Sequence, residues 1–278
     1  LRNMKKDGKS IIIITHKLNE VLEISDRVAI LRKGKYICDV TTATADVQEL
    51  TDAMVGHSVA LNIERPEPVN PRPRVIVENL TVKSSDGVVR LKDVSFTART
   101  GEILGIAGIA GNGQKELLEA IAGLQKVENG NIYYVTDEGE KESLLGKDPY
   151  KICEIGISLA FVPEDGLGMG LVGNMDLAQN MALRSFRSGK GIFTDKKTPA
   201  HLAEEVVKEL EVNTPGIRTA VRKLSGGNVQ KILVGREIAL APTVLLTAYA
   251  VRGLDINSSY TIYNLLNKQK KDGVAVVY

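Results

Sequence analysis

Two rhythms of apolar and polar positions divide this sequence. Short uninterrupted apolar stretches read as strands covered on both faces, whereas apolar residues recurring every three or four positions read as helices with one covered face. Residues 10–15, 103–107, 158–162, 244–247 and 274–278 show the first rhythm and are predicted strands. Residues 19–24, 114–122, 199–210, 229–239 and 258–270 show the second and are predicted helices. Two strand pairs are also predicted, 27–32 with 35–39 turned at Gly34, and 75–82 with 94–98. Apolar strands alternating with helices imply an α/β fold with a mostly parallel core sheet.

The rhythm breaks at residues 63–74, where Pro66, Pro68, Pro71 and Pro73 fix φ and remove N–H donors, favouring an extended linker. The predicted organisation is therefore a first piece at 1–62, a Pro-rich linker at 63–74 and a larger domain at 75–278. Lys5-Lys6-Asp7-Gly8 before one apolar strand matches Lys270-Lys271-Asp272-Gly273 before another, which reads as an internal repeat. The second copy's counterpart of His16 is expected to fall beyond Tyr278.

Composition narrows the classes of function. Apolar residues make up 43% of the chain, enough for a packed core, and the formal charge of +2 gives no reason to expect a nucleic-acid partner. Cys38 and Cys153 are too few for a disulfide framework or a zinc cluster, and fit a reducing compartment. No apolar run approaches the ~20 residues needed to span a bilayer, and no signal peptide is recognised at the start, so if membranes matter a separate subunit is expected to supply the span.

Two glycine-rich turns carry the candidate chemistry. Gly105 to Glu116 lies between a predicted strand and a predicted helix, with Gly108, Gly111 and Gly113 at the spacing that lets backbone N–H groups turn toward phosphate oxygens. A phosphate loop carries Lys followed by Ser or Thr at its helix start, but Gln114 and Lys115 stand there, so phosphate charge and Mg²⁺ are both poorly served. A tight turn that binds nothing remains the alternative. The second turn is Leu224-Ser225-Gly226-Gly227-Asn228-Val229-Gln230-Lys231, which places a hydroxyl and two glycines just before a helix. A purely structural helix cap is its alternative. Downstream come the predicted strand 244–247 and Ala248-Tyr249-Ala250-Val251-Arg252-Gly253-Leu254-Asp255.

Taken in this order, the chain resembles the ATP-binding-cassette family, and most of all the tandem-cassette ATPases of simple-sugar and nucleoside importers. Leu224 to Lys231 is similar to their L-S-G-G-N-x-Q-K signature, and Arg252 to Asp255 to their R-G-L-D. Phe161-Val162-Pro163-Glu164-Asp165-Gly166 resembles the V-P-E-D segment of their second cassettes, with Glu164 in place of a glutamine. Ile13-Ile14-Thr15-His16-Lys17-Leu18 resembles the switch-histidine segment that closes a first cassette. The resemblance implies a core sheet with an antiparallel β subdomain and a helical subdomain. It also implies that 1–62 ends a first cassette and 75–278 is a second, truncated before its switch residue.

The same resemblance implies an ATPase driving uptake of a nucleoside or simple sugar from the cytoplasmic face of the membrane. Its expected partners are integral membrane permease subunits, an extracellular solute-binding protein indirectly, and the first cassette of the same polypeptide, with no nucleic acid. Cassettes of this family pair head to tail, so His16 would contact the γ-phosphate of an ATP that Ser225, Gly226 and Gly227 close over. Mg²⁺ would be held mainly at that composite site by residues outside the chain, and no metal ligand is assigned within it. Ala248 and Tyr249 stand where a metal-binding Asp and a water-orienting Glu are expected, and residues 84–87 lack an adenine-stacking ring. The second cassette's own site, at Gly108, Gly111, Gly113, Gln114, Lys115 and Glu164, is therefore expected to be degenerate and the fragment alone inactive. Asp255 is expected either to bridge the two sites or to cap the helix that follows. The rival classes are a soluble tandem cassette ATPase acting on ribosomes or DNA, and a non-catalytic regulatory cassette.

Overall fold

A computed structural model describes residues 1–15, 17–32, 34–56, 58, 63–84, 86–109, 111–154, 159–162, 167, 170–185, 195–251 and 254–278. His16, Glu164, Arg252 and Gly253 lie outside this set. The chain divides into two compact units, one of Leu1–Ile63 with Asp255–Tyr260 and the other of Glu64–Leu254 with Thr261–Tyr278.

In the smaller unit, α1 (Arg2–Lys6) and α2 (Leu18–Ile24) precede an antiparallel hairpin of β1 (Arg27–Arg32) and β2 (Lys35–Thr41). Gly34 makes its turn, at a φ of +77° that a β-carbon disfavours. The helix α3 (Val47–Val55) has both ends specified by sequence: the Asp46 carboxylate accepts from the N–H groups of Gln48 and Glu49, and Gly56 closes it in the left-handed conformation. Leu18, Ile30 and Leu50 form the small core of this unit.

The strand predicted at 10–15 does not form. These residues join no sheet, and Ile12 and Ile14 are 94% and 97% exposed. A strand is stable as part of a ladder, and the two strands of this unit pair only with each other among the described residues.

In the larger unit, β3 (Pro73–Lys83) and β4 (Val89–Arg99) form the core of an antiparallel sheet. It is extended by β6 (Val127–Val135) and β7 (Lys141–Ser143) in the order β4-β3-β6-β7. A second, parallel sheet has the order β5-β10-β9-β8, from β5 (Ile103–Leu104), β8 (Leu159–Val162), β9 (Val244–Thr247) and β10 (Ala275–Val277). The predicted strand at 103–107 is thus shorter as a strand, although the N–H of Ile106 still reaches the carbonyl of Tyr278 at 2.7 Å. Beyond that bond the chain turns away into the glycine-rich loop.

The uninterrupted apolar character of β9 and β10 follows from burial on both faces. Leu245 and Val276 face one core, while Val244, Leu246 and Val277 face another. The second core lies beneath the antiparallel sheet and is filled by Leu117, Leu118 and Ile121 of α4 (Gln114–Ile121). The first core gathers α6 (Leu177–Ser185), α7 (Lys197–Glu209), α8 (Gly226–Ile238) and the later turns of α9 (Ile256–Lys271), through Met181, Val206, Ile232, Leu233, Ile262 and Leu266. A short helix, α5 (Pro149–Glu154), contributes Ile152 to the second core. Where α7 and α8 meet, a β-carbon on Gly235 would lie 2.6 Å from Val206 Cγ1, so glycine permits the close approach. Among the described residues no helix is long and apolar enough to cross a membrane.

Candidate functional site

The loop between β5 and α4 turns into the helix through two glycines in the left-handed region. Gly111 and Gly113 have φ of +90° and +98°, and a β-carbon on Gly113 would sit 2.7 Å from the carbonyl oxygen of Arg90 on β4. Glycine at 113 therefore both allows the left-handed turn into α4 and lets the helix start rest against β4. The first side chain of the helix folds back over the loop. Gln114 Nε2 donates to the carbonyl of Ile109 at 3.4 Å and lies 2.2 Å from where a β-carbon on Gly108 would be.

Lys115 runs the other way, along the helix, with its ammonium 3.7 Å from Glu119. Burial pushes the Glu119 carboxyl above its usual range, and the charge of Lys115 opposes that shift. The loop thus presents a neutral amide to its interior and directs its cation outward. These residues do not fit Mg²⁺: Lys115 offers no oxygen, Ala248 at the end of β9 offers none, and no metal-holding cluster of His, Cys, Asp or Glu occurs among the described residues.

The second turn has a different character. Ser225 occupies the N-cap position of α8 with extended φ and ψ of −65° and 156°, the conformation in which a serine ordinarily caps its own helix. Its hydroxyl makes no such bond. Instead Ser225 Oγ accepts from Asn228 Nδ2 at 3.0 Å. Asn228 is held in turn by the backbone of Asn213, accepting from its N–H at 3.0 Å and approaching its carbonyl at 3.4 Å. Among the described residues nothing accepts from the N–H groups of Gly226, Gly227 or Asn228. These donors and the positive end of the helix dipole are open to an anion.

The body of α8 is anchored by buried charge. Glu237 is fully buried and bonds to Arg184 at 2.6 Å and to Arg236 at 2.7 Å, while Arg236 also donates to the carbonyl of Gly170 at 2.7 Å. Burial pushes the Arg236 pKa down and Glu237 opposes that shift. The helix that presents Ser225 is therefore fixed to the segment following β8 and to α6.

At the end of β9, Thr247 is buried, Ala248 carries no functional group, and Tyr249 adopts a φ of +54°. Gln230 of α8 donates to its carbonyl at 3.3 Å. Asp255, predicted either to bridge sites or to cap a helix, uses Oδ1 to accept from the N–H of Ser258 and Oδ2 to accept from its hydroxyl, at 3.0 and 2.8 Å. That is the geometry of a helix cap.

Of the predicted site residues, the structure brings Gly108 and Gln114 together, places Lys115 away from the loop interior, and sets Ser225, Gly226 and Gly227 on one helix start. His16 and Glu164 lie outside the described residues. Asn228 and Gln230 were not singled out from the sequence. The signal for Asn228 was present in the string 224–231, because a side-chain amide three residues after an N-cap serine is within reach of that serine's hydroxyl.

Residues 91–247 match the ABC transporter family. The chain belongs to that family. It is 38% identical over 282 residues to the nucleoside import ATP-binding protein NupA of Lactococcus lactis subsp. cremoris, an alignment covering 100% of this chain and 54% of that protein. It is 37% identical over 281 residues to the xylose import ATP-binding protein XylG of Thermoanaerobacter pseudethanolicus, with the same shares covered. The ribose import ATP-binding protein RbsA of Bacillus licheniformis is 34% identical over 279 residues, again with 100% and 54% covered. The chain thus spans about half the length of these curated relatives. Among solved structures, an ATP-binding cassette in a dimeric post-hydrolysis state bound to ADP and Pi superposes with a TM-score of 0.62 at 24% identity. That match covers 73% of this chain and 86% of the other, and establishes the shared cassette fold.

Proposed function

We propose that this chain is part of the ATP-binding subunit of an importer for a nucleoside or simple sugar, and that its larger unit acts mainly by lending a helix start to a neighbouring cassette. Ser225, Gly226 and Gly227 would close over the triphosphate of an ATP held by a phosphate loop outside this chain. His16 would meet the γ-phosphate of that ATP. The unit's own loop would bind nucleotide weakly and hydrolyse little, because Gln114, Lys115, Ala248 and Tyr249 supply neither phosphate charge, metal ligand nor water-orienting carboxylate. Mg²⁺ would enter only with ligands from elsewhere.

The observation that carries this reading is the open helix start: a serine at the N-cap that does not cap, followed by backbone N–H groups with no acceptor among the described residues. Anion binding at such a terminus needs both free donors and the helix dipole, and both are present. The printed names of the relatives support import of nucleosides or sugars. Integral membrane permease subunits would be the direct partners, reached through the segment around residues 164–170. The protein would lie peripherally at the cytoplasmic face of the membrane, with an extracellular solute-binding protein acting through the permease.

The test is ATP turnover by the full-length polypeptide reconstituted with its permease, with Ser225 intact, as Ser225→Ala and as Ser225→Arg. The arginine variant is expected to lose turnover almost completely, and the alanine variant about tenfold through loss of one hydrogen bond to a charged group. Equal turnover in all three would overturn the shared-site reading. Turnover stimulated by ribosomes or DNA, and not by permease, would replace the importer with the soluble rival. Uptake of radiolabelled nucleoside, ribose and xylose into the same vesicles then identifies the solute class.

A further inference from the structure

The three contacts around Asn228 determine which way its amide faces. The N–H of Asn213 can be accepted only by the carboxamide oxygen, so at 3.0 Å it fixes Oδ1 on Asn213 and turns Nδ2 toward the carbonyl of Asn213 and the hydroxyl of Ser225. Ser225 Oγ is thereby obliged to accept. A serine hydroxyl has a single proton, and one that accepts an internal hydrogen bond keeps that proton for a partner elsewhere. The usual competing use, capping the helix it begins, is not made.

We infer that Asn228 is a positioning residue that sets Ser225 as a hydrogen-bond donor toward the phosphate it meets. The inference rests on the proposal that Ser225 faces ATP, and adds to it the group that orients the serine. An unheld serine rotates among its staggered wells and can spend its proton on a nearby carbonyl. Held by Asn228, it meets an anion with its proton already directed outward, so less ordering is needed when nucleotide binds or the site closes. Asn228 itself need not touch nucleotide. Its anchorage to the backbone of Asn213, in the irregular segment that follows α7, makes the arrangement part of the fold.

A double-mutant cycle on the full-length polypeptide with its permease tests this, reading KM for ATP and kcat for Ser225→Ala, Asn228→Ala and the pair. Asn228→Asp is the companion variant: it still accepts from the N–H of Asn213 but cannot donate to Ser225. With Ser at 225, Asn228→Ala is expected to weaken kcat/KM by about fivefold to tenfold. With Ala at 225 it is expected to change nothing further, and the cost of Asn228→Asp should shrink to that of its added charge. If Asn228→Ala has no effect beside Ser225, or if either substitution costs as much in the Ser225→Ala background, the inference is overturned and the shared site stands. If Ser225→Ala itself leaves turnover unchanged, the shared-site reading fails first. Thermal unfolding of each variant accompanies the kinetics, since a merely structural asparagine would lower the midpoint equally in both backgrounds.

Discussion

Gln230, in the second turn of α8, donates from its side-chain amide to the main-chain oxygen of Tyr249 across 3.3 Å. The bond ties the helix that presents Ser225 to the chain just past β9, at a residue whose φ of +54° is costly for any side chain bearing a β-carbon. The other end of the same amide, Gln230 Oε1, is buried without a partner among the described residues. Gln230→Glu removes the donor and sets a carboxylate against a carbonyl, so it is expected to destabilise the fold by about 1–3 kcal/mol. Gln230→Leu also loses the bond but relieves the unpartnered oxygen, and should cost less. Urea unfolding of both variants checks the order, and a more stable Gln230→Glu would contradict it.

Buried charge elsewhere on α8 gives a larger effect. Glu237 is wholly enclosed and accepts from both Arg184 and Arg236, and Arg236 is itself buried. Removing the carboxylate leaves Arg236 without its counter-charge, which typically costs about 3–5 kcal/mol. Glu237→Ala is therefore expected to unfold at markedly lower urea than the parent. Arg184→Ala should cost much less, because that side chain is 35% exposed and water replaces part of what is lost. Comparable losses for the two substitutions would show that the network is not centred on Glu237.

These two anchors also show where the sequence was informative. The strands β9 and β10 were legible because both faces are buried, which leaves an unbroken apolar run. The same run at 10–15 misled, because an apolar pattern states what a strand would bury and not whether a neighbour is present to pair with it. Helices α3 and α6 were missed although Asp46 and Gly56 mark both ends of α3, since their apolar positions are mixed with polar ones. At the candidate site, the two glycine-rich turns were legible as the starts of α4 and α8. The fold-back of Gln114, the divergence of Lys115 toward Glu119 and the orientation of Ser225 by Asn228 depend on side-chain geometry, which spacing does not encode.

Acid stability carries one specific signature. Arg74 donates to Asp137 at 2.5 Å, and this hydrogen bond, followed by the charge of Arg74, holds the Asp137 carboxyl below its usual range. A carboxyl depressed in the folded state adds stability above its unfolded pKa of about 3.9, and that contribution is lost as pH falls through the lower folded value. Asp137 is 79% exposed, so solvent screening keeps the effect small. The stability difference between the parent and Asp137→Asn should thus be present at neutral pH and vanish in strong acid. Unfolding free energies measured at both ends of that range check it, and a difference that grew on acidification would have the wrong sign.

The loop between β5 and α4, proposed above as a weak nucleotide site, offers the sharpest gain-of-function test, because Gly111 and Gly113 adopt left-handed φ and the two side chains at its helix start differ from those of a phosphate loop. Gln114→Lys would replace the amide that folds over Gly108 with an ammonium, and Lys115→Thr would add the hydroxyl oxygen that Lys115 lacks. One restored charge-assisted contact is worth about 1.5–3 kcal/mol, or roughly tenfold to a hundredfold in affinity. The double variant should therefore bind a fluorescent ATP analogue at least about tenfold more tightly than the parent when Mg²⁺ is supplied. It should still not hydrolyse ATP at this loop, since Ala248 and Tyr249 remain unable to hold metal or orient water. Tighter binding without turnover is the expected pair of results. Unchanged affinity would place the defect in the turn itself, where the β-carbon-free approaches of Gly108 to Gln114 and of Gly113 to Arg90 set how far the loop can open.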